Sequence, residues 1–400
     1  MIYVDVTSSC KSPMNTGVQR VVRGLFRAMT ASGLPVLPLA WEPRLKSYCT
    51  LSPRERGFLE RPFGAAQTRN AHDEPGRRAN PIPVWSKLWR QVRRSRSRCD
   101  LQARLTAADI LFVPEIFQDN RIGWLSHLRS PARRMAIFHD AIAWRRPEIT
   151  PPARQEGFLD YMNALASFDR VVAVSEEAAH DLQACWQGRS SKAAIEIAGW
   201  PVDDQFTKPA KERTTAGHPR KILCVGSFEP RKNHLKLLEA AQQLWQELGP
   251  VFEIILIGRT TAHFGERVQT EIRRLQKAGW KVDWRRHVDD QTLVAAYDES
   301  FFTVFPSLVE GFGLPIIESL RRGRPCLCGS NGALGEVAMS GGCLTVNQTD
   351  RGALAQGIRR LLTDNVLYER LAAEAHSRHF DTWEQYLAKN QALFLSSTAA

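Results

Sequence analysis

Short apolar runs and amphipathic stretches alternate along the first 41 residues. The run IYVDV at positions 2–6 is rich in β-branched residues and predicts a strand. In the stretch 18–33, apolar residues recur every three or four positions, which predicts a helix that ends at Gly33. The run 35–41 predicts another strand. A strand, a helix and a second strand in this order are typical of a parallel sheet with a crossover helix.

The same alternation resumes further along the chain. Apolar runs at 109–115, 134–140 and 170–175 predict strands, and Ser175 is a favourable N-cap for the helix that follows. A polar stretch with Pro, Gly and Thr at 201–220 predicts a linker. Beyond this linker, strands and helices alternate again, so the chain contains two consecutive series.

These two series predict an α/β protein of two Rossmann-like, doubly wound domains that face a central cleft. We expect the first domain to span 1–202 and the second to span 203–381. In the segment 382–400, Thr382 and Gln385 form a capping box, which predicts a C-terminal helix. This helix would either pack on the second domain or cross back to the first, and we favour the crossing.

The segment 42–105 interrupts the alternation and holds much of the positive charge. It contains 15 Lys and Arg against 6 Asp and Glu, in a chain whose formal net charge is +12. Apolar residues at helical spacing among arginines predict a short basic amphipathic helix near residue 85. The segment is either a solvated insertion or a surface that contacts an anionic membrane. The expected membrane contacts are Trp85, Trp89, Arg90, Arg93 and Arg94.

Composition narrows the class and the compartment. Hydrophobic residues make up 43% and charged residues 24%, which fits a globular protein rather than a disordered one. Eight cysteines are scattered without a C-x-x-C pair, so neither a disulfide framework nor a zinc site is expected. No run approaches the roughly 20 apolar residues that cross a bilayer, and the N-terminal residues lack the features of a signal peptide. We therefore expect a cytoplasmic protein, either free or peripheral on the inner face of the cytoplasmic membrane.

The first motif with chemical potential is VGSFEPRKNH at 225–234, which follows a predicted strand and opens a helix. Gly226 allows a close backbone approach, and Ser227 follows it directly. Arg231 and Lys232 lie near the helix start, where two cations beside helix amides suit a diphosphate. The alternative is a basic helix entrance that binds no ligand.

The second motif is SLVEGFGLPIIES at 307–319, in which two glutamates flank a glycine loop. Gly311 and Gly313 permit backbone conformations that other residues avoid. We expect Glu310 to lie in the loop at the cleft and Glu318 to lie about one turn into the next helix. Carboxylates accept hydrogen bonds from sugar hydroxyls, so one could hold a ribose and the other a hexose. Taken alone, Glu318 would fit a solvated helix face equally well.

A third candidate is His139, which stands with Asp140 at the end of a predicted strand of the first domain. Histidine titrates near neutrality and can donate a hydrogen bond to a phosphate or a hydroxyl. The alternative is a structural hydrogen-bond partner. Because no Asp-x-Asp motif follows a predicted strand, dependence on a metal is not expected.

The stretch 224–337 resembles the retaining, nucleotide-sugar-dependent glycosyltransferases of family 4, which have the GT-B fold. The marker is Glu-x7-Glu, here Glu310 to Glu318, and VGSFEPRKNHLKLLEA is similar to the family's phosphate-binding stretch. TGVQRVVRGLFRAM resembles the first loop and helix of the family, with Gly17 at the end of the loop. FHDAIAWRRPE resembles the bacterial polysaccharide members that transfer mannose or rhamnose.

The resemblance implies a role for each candidate residue. Arg231 and Lys232 would neutralise the diphosphate, with Arg231 replacing an arginine that many relatives carry where Ser227 stands here. Glu318 would hold the ribose, and Glu310 would hold the transferred sugar together with backbone amides. His139 would contact that sugar or the phosphate from the first domain. The remaining substrate-binding positions are Gly17, Gly226, Ser227, Gly311, Phe312, Gly313 and Leu314.

The function that follows is retaining transfer of a hexose to a growing, lipid-linked bacterial surface glycan, by same-face substitution. GDP-mannose, UDP-sugars and dTDP-rhamnose are all compatible donors, and the donor is a co-substrate, so no cofactor is expected. One alternative is a sugar phosphorylase or synthase on the same fold. Another is a non-enzymatic binder of anionic surfaces or nucleic acid, although a cleft rich in glutamate would repel nucleic-acid phosphates.

Overall fold

The protein is built on two mainly parallel sheets. The computed structural model describes residues 1–61, 94–203, 206, 219–261, 264–286 and 288–395. The strands of the first sheet end at Ile197 and those of the second begin at Arg220. The two predicted doubly wound units are therefore confirmed, while the boundary at 202/203 stays a prediction.

The first sheet has eight strands in the described part of the chain. In chain order they are β1 (Ile2–Asp5), β2 (Val36–Glu42), β3 (Ser47–Thr50), β4 (Arg98–Cys99), β5 (Ile110–Val113), β6 (Arg133–Phe138), β7 (Arg170–Ala173) and β8 (Ala194–Ile197). Their spatial order is β4-β3-β2-β1-β5-β6-β7-β8. At one edge, β3 pairs antiparallel with both β2 and β4, and the other pairs are parallel. Both antiparallel strands come from the segment 42–105, so the two ends of this segment belong to the folded sheet.

Helices connect and cover these strands. They are α1 (Gly17–Ala31), α2 (Pro53–Glu60), α3 (Leu101–Arg104), α4 (Arg121–His127), α5 (Ile142–Arg145), α6 (Pro152–Gln155), α7 (Phe158–Leu165) and α8 (Glu176–Trp186), with a short 3₁₀ turn at Pro147–Ile149. Helix α8 begins as expected, because the Ser175 hydroxyl accepts a hydrogen bond from the Ala178 amide. Apolar residues of α1 pack into the core beneath the sheet.

The second sheet is fully parallel. Its strands are β9 (Arg220–Val225), β10 (Phe252–Ile257), β11 (Val282–Arg285), β12 (Phe302–Phe305), β13 (Cys326–Gly329) and β14 (Cys343–Val346). Its helices are α9 (His234–Leu248), α10 (Phe264–Lys277), α11 (Asp290–Glu299), α12 (Leu314–Arg321), α13 (Gly332–Ala338), α14 (Arg351–Thr363) and α15 (Asn365–Ser377), with a 3₁₀ turn at Pro230–Lys232. The spatial order is β11-β10-β9-β12-β13-β14, the doubly wound arrangement.

The strand order of the second sheet reverses between β9 and β12. Loops at such a reversal separate above the carboxyl ends of the strands and leave a crevice where ligands bind. The loop 226–233 follows β9 and the loop 306–313 follows β12. They meet directly, since the Leu308 amide donates a hydrogen bond to the Arg231 carbonyl at 2.7 Å. Topology thus unites the two motifs that lie about 80 residues apart in the chain.

The C-terminal segment crosses back to the first domain, as expected. It forms α16 (Trp383–Lys389), with the predicted capping box at Thr382, and α17 (Gln391–Leu395). Trp383, Tyr386, Leu387 and Phe394 join the core of the first domain. A methyl group at Gly24 of α1 would lie only 2.2 Å from the Trp383 ring, so this glycine makes room for the indole. The prediction of one continuous helix is wrong, because α16 ends at Lys389, with Asn390 as its C-cap, and a separate helix follows.

Candidate active site

The glycine loop of the second domain lies against a strand end of the first domain. A methyl group on Gly311 would lie 2.0 Å from the carbonyl oxygen of His139, so only glycine allows this approach. The Ser175 hydroxyl donates a hydrogen bond to the Gly311 carbonyl at 2.8 Å. The carboxyl ends of β6, β7 and β12 therefore meet at one place, where the sequence predicts a cleft.

The loop after β9 carries the predicted cations. Its Gly226 amide donates to the Ile257 carbonyl at 2.8 Å, which extends the sheet by one residue. The chain then forms the 3₁₀ turn and enters α9 through Asn233, a non-glycine residue with φ of 57°. The Lys232 side chain passes over Gly226, where a methyl group would lie 3.4 Å from Cδ of the lysine. Ser227 does not reach this lysine but donates to Glu229 at 2.7 Å.

Glu310 joins both cations. Its Oε1 lies 2.6 Å from Nζ of Lys232, and its Oε2 accepts from Arg231 at 2.7 Å. Burial alone would raise the pKa of Glu310, but the charges of Arg231 and Lys232 outweigh it and lower the pKa to about 2. Burial lowers the pKa of Lys232, and Glu310 opposes this shift. Arg231 also pairs with Glu229 at 2.9 Å, so carboxylates neutralise the cation pair from two sides.

Glu318 has different partners, which belong to several parts of the chain. The Tyr297 hydroxyl donates to its Oε2 at 2.7 Å, and Arg20 of α1 lies 2.6 Å from its Oε1. Arg20 also donates from Nε and NH2 to Asp203 at 2.8 and 2.6 Å. Asp203 in turn accepts from the Trp383 indole at 2.8 Å. Burial raises the pKa of Glu318, although Arg20 opposes it. The alternative of a solvated helix face is wrong, because only 2% of Glu318 is exposed.

His139 is buried, and one of its two ring nitrogens makes a hydrogen bond within the first domain. Nε2 lies 2.7 Å from the Pro114 carbonyl oxygen, which can only accept, so Nε2 carries the proton. Burial lowers the pKa of His139, so the ring is neutral at pH 7. In a neutral imidazole with this tautomer, Nδ1 is an acceptor. The ring therefore suits a sugar hydroxyl better than a phosphate oxygen.

The remaining predicted residues lie at the contact between the domains. A methyl group on Gly17 would lie 3.3 Å from Cδ1 of Leu314, so the end of the first loop touches the start of α12. The Phe312 ring packs against Gly199, where a methyl group would lie 2.8 Å from the ring. Gly313 has φ of 114° and sets the turn into α12. The predicted residues other than Ser227 and Gly313 thus contact either the cation cluster or the opposite domain, and Glu318 does so through Arg20.

Sequence reasoning missed several residues that link the domains. Glu336 of α13 accepts from the Glu176 and Glu177 amides at 2.8 Å each, and so caps α8 from the other domain. Glu177 returns the contact by accepting from the Ala333 amide at 2.9 Å. Arg20 could have been selected from the sequence, because it lies in the stretch TGVQRVVRGLFRAM, about one turn into the predicted helix. Nothing in the sequence distinguishes Glu336, since a glutamate on a short helix is usually exposed to solvent.

Of the five predicted membrane contacts, the described part of the chain includes Arg94 alone. Trp85, Trp89, Arg90 and Arg93 lie outside the described residues. Arg94 is described, and its guanidinium pairs with Glu55 within the first domain. No helix in the described part of the chain is long and apolar enough to cross a membrane. Within those same residues, no group of three or more His, Cys, Asp or Glu side chains is placed to hold a metal ion.

Two mainly parallel α/β domains that face each other across a cation and carboxylate cluster have the architecture of the GT-B fold. Residues 205–378 match the family model described as glycosyl transferases group 1. This matched stretch is less than half of the chain, and the match agrees with the resemblance to family 4 inferred from the motifs.

Two curated proteins that the chain is similar to are mannosyltransferases of Escherichia coli. The chain is 27% identical over 420 residues to the serotype-specific mannosyltransferase WbdA of Escherichia coli, covering 97% of this chain and 44% of that protein. It is 33% identical over 164 residues to the O-antigen chain mannosyltransferase B of E. coli, covering 40% of this chain and 42% of that protein. The chain thus spans less than half the length of these relatives.

Solved structures support the fold over the whole chain. Sucrose-phosphate synthase from Thermosynechococcus elongatus superposes with a TM-score of 0.66 at 18% identity and covers 98% of each chain. Anabaena Alr3699/HepE, solved with UDP and glucose, superposes with a TM-score of 0.63 at 14% identity and covers 98% of this chain and 99% of its own. At these identities the likeness shows the fold alone.

Proposed function

We propose that the chain transfers a mannosyl residue from a nucleotide diphosphate sugar to a growing bacterial surface glycan, with retention at the anomeric carbon. The similarity to two mannosyltransferases of E. coli supports mannose, and GDP-mannose is the first donor to test. UDP-sugars and dTDP-rhamnose are the competing donors. A lipid-linked acceptor is part of the proposal, because the named relatives include an O-antigen mannosyltransferase.

The observation that carries the proposal is the position of Glu310 between Arg231 and Lys232. Breaking a sugar–phosphate bond develops negative charge on the diphosphate, and preorganised N–H donors stabilise that charge. The two cations already hold an anionic group, since both bind the Glu310 carboxylate within 2.7 Å. A diphosphate presents the same kind of oxygen to the same N–H groups. Glu310, released from them, would then accept hydrogen bonds from hexose hydroxyls.

The proposed step balances without a covalent intermediate. The bond between the anomeric carbon and the β-phosphate oxygen breaks, and its electron pair passes to the diphosphate. An acceptor hydroxyl forms the new bond on the same face, and its proton passes to the leaving phosphate oxygen. We assign no carboxylate nucleophile, because Glu310 is assigned to the hexose hydroxyls and Glu318 is bound by Arg20 and Tyr297. Nδ1 of neutral His139 would accept a hydrogen bond from the transferred hexose.

Donor identity is tested by measuring nucleoside diphosphate release and thermal stability with GDP-mannose, UDP-glucose and dTDP-rhamnose. A donor at about 100 times its Kd should stabilise the chain by about 2.7 kcal/mol, which raises Tm by several degrees. We expect the largest shift with GDP-mannose, and an α-linked product by NMR with retention. Absence of both release and stabilisation with all three donors would contradict the proposal.

Membrane contact through the basic segment is a further part of the proposed setting, on the cytoplasmic face of the membrane. Removing all of 42–105 would also remove β3 and β4, so the test must be narrower. We would replace residues 62–93 with a Gly-Ser linker, and separately change both Trp85 and Trp89 to Ala. Binding to vesicles that contain anionic phosphatidylglycerol should fall in both variants. If the variants and the wild type bind these vesicles equally, the proposed membrane contact is wrong.

A further inference from the structure

A cavity of about 240 Å³ lies between the two domains. From the first domain it is lined by the loop after β6 and the first turns of α8, and from the second domain by residues 308–311. Pockets for drug-sized ligands usually measure roughly 300–1,000 Å³. The cavity is therefore too small for a whole nucleotide sugar and matches one monosaccharide unit.

Glu310 belongs both to the wall of the cavity and to the cation cluster. Glu310 and Gly311 form part of the cavity wall, whereas Arg231 and Lys232 are not among the described residues that line it. Both cations bind the Glu310 carboxylate directly. A donor whose diphosphate binds these cations would place its hexose at Glu310. The cavity is then the space next to that hexose, where the receiving sugar must approach.

The polar groups of the cavity offer both donors and acceptors. Arg145 pairs with Asp181 at 2.6 Å and lies 3.7 Å from Glu177, so a guanidinium and two carboxylates stand side by side. One oxygen of Asp140 accepts from the Ile142 amide at 3.0 Å, and the other accepts no hydrogen bond within the described residues. A sugar hydroxyl both donates and accepts, so neighbouring hydroxyls complement such a set.

Charge narrows the kind of sugar. Because Arg231 and Lys232 neutralise Glu310, three carboxylates of the wall remain against two guanidinium groups. They are Asp140, Glu177 and Asp181, with Arg145 and Arg146. An excess of carboxylates repels an anionic sugar such as a uronate or a sugar phosphate. The apolar part of the wall includes Ile142, Ala178 and Val309, which can pack on the C–H face of a pyranose ring.

We infer that this cavity is the acceptor subsite and takes a neutral terminal hexose, with Asp140 and the Arg145–Asp181 pair binding its hydroxyls. The inference rests on the proposed function for the direction of transfer. The geometry of the cavity is independent of the identity of the donor.

The first test measures initial rates with the donor that the wild type uses and with methyl α-mannoside as acceptor. Asp181→Asn should raise the acceptor KM about 10-fold or more, the usual effect of losing a hydrogen bond to a charged group, and should keep the donor KM within about twofold. Glu176→Gln is the matched control, because this glutamate lies on the same helix with an exposed side chain. An unchanged acceptor KM, or a donor KM that rises equally, would overturn the inference.

The second test needs no catalysis. Saturation-transfer NMR with methyl α-mannoside and with the corresponding methyl uronate reports binding directly. The wild type should bind the neutral sugar and not the uronate, and Asp140→Asn should weaken binding of the neutral sugar. If the chain transfers no sugar yet shows this pattern, the proposed function fails and the subsite stands. Equal binding of the two sugars, or none of either, would refute the subsite.

Discussion

Glu310 and Glu318 belong to one motif, yet they lie in opposite electrostatic surroundings. Glu310 is held by two cations of its own domain, and its pKa is lowered to about 2. Glu318 is held by a tyrosine of its own domain and by Arg20 of the other domain, and burial raises its pKa. Glu310 therefore remains ionised whether or not the domains touch. Glu318 depends on contact between the domains for its only cationic partner among the described residues.

This comparison teaches that a sequence motif does not assign equal roles to its two acids. Glu310 belongs to a local cluster that forms within one sheet. Glu318 belongs to a network that includes the linker through Asp203 and the C-terminal helix through Trp383. We expect substitutions around Glu310 to change chemistry and substitutions around Glu318 to change stability and nucleotide binding.

The largest expected effect is on stability, from Arg20→Met. Breaking a buried ion pair by removing one partner typically costs about 3–5 kcal/mol, because buried charge is left uncompensated. Here both Glu318 and Asp203 would lose their cation. Urea unfolding should show a loss of this size, and Arg20→Lys should recover part of it. A loss below about 1 kcal/mol would mean that the network does not join the domains.

Arg20→Lys also tests whether Arg20 affects nucleotide binding through Glu318. If Glu318 binds ribose, the wild type should bind GDP more tightly than 2′,3′-dideoxy-GDP, and Glu318→Gln should bind the two equally. Arg20 orients Glu318, so Arg20→Lys should bring the ratio of the Kd for 2′,3′-dideoxy-GDP to the Kd for GDP closer to one. Isothermal calorimetry measures both Kd values. A variant that weakens both nucleotides by the same factor would assign Arg20 a purely structural role.

The second effect is on the rate of transfer, from Lys232→Ala. Losing one preorganised donor to developing charge usually costs about 2.7–4 kcal/mol of transition-state stabilisation, so kcat should fall by about 10²–10³. Lys236→Ala is the control, since Lys236 lies one turn further along and pairs only with the exposed Glu239 among described carboxylates. A normal kcat at saturating donor in Lys232→Ala would contradict the role of the cation pair.

The third effect is a difference in pH dependence. The folded-state pKa of Glu310 is below the ordinary 4.5, so its contribution to stability is present above pH 4.5 and is lost as pH falls towards 2. Its size is on the order of 3 kcal/mol. The pKa of Glu318 is raised, so its contribution is present below pH 4.5 and is lost as pH rises through the folded-state value.

Thermal denaturation at a series of pH values separates the contribution of Glu310 to stability from that of Glu318. Glu310→Gln should remove the loss of Tm that the wild type shows between pH 4.5 and 2. Glu318→Gln should remove the decline that begins above pH 4.5. If the two variants change the same part of the profile, the electrostatic contrast between the two acids is wrong.

The smallest effect should come from Arg154→Met. Arg154 also pairs across the domains, with Glu229 at 3.7 Å, but 61% of its side chain is exposed. Exposed ion pairs typically contribute about 0–1 kcal/mol. The free energy of unfolding in urea should therefore change little in Arg154→Met. The comparison with Arg20→Met then shows that burial of the ion pair, rather than its position between two domains, determines the loss of stability. A loss comparable with that of Arg20→Met would remove this distinction.

Much of the fold was predictable because its signals are local. The alternation of apolar runs and amphipathic stretches predicted two parallel sheets, and the capping residues Ser175 and Thr382 start helices where expected. Strands β3 and β4 were both missed, since such short stretches in a basic segment carry no periodic pattern. The break at Asn390 was missed as well, because the apolar spacing continues across it.

The sequence by itself determined which chemical groups this protein has and which strand ends carry them. Arg231, Lys232 and Glu310 each follow a strand of one doubly wound sheet, and such strand ends are bound to meet once the order reverses between them. Only the tertiary structure decided the partners of Glu318 and the cavity beside Glu310. Those contacts join residues as distant as Arg20, Asp203 and Trp383, and no local pattern encodes a hydrogen bond between elements that folding brings together from opposite ends of the chain.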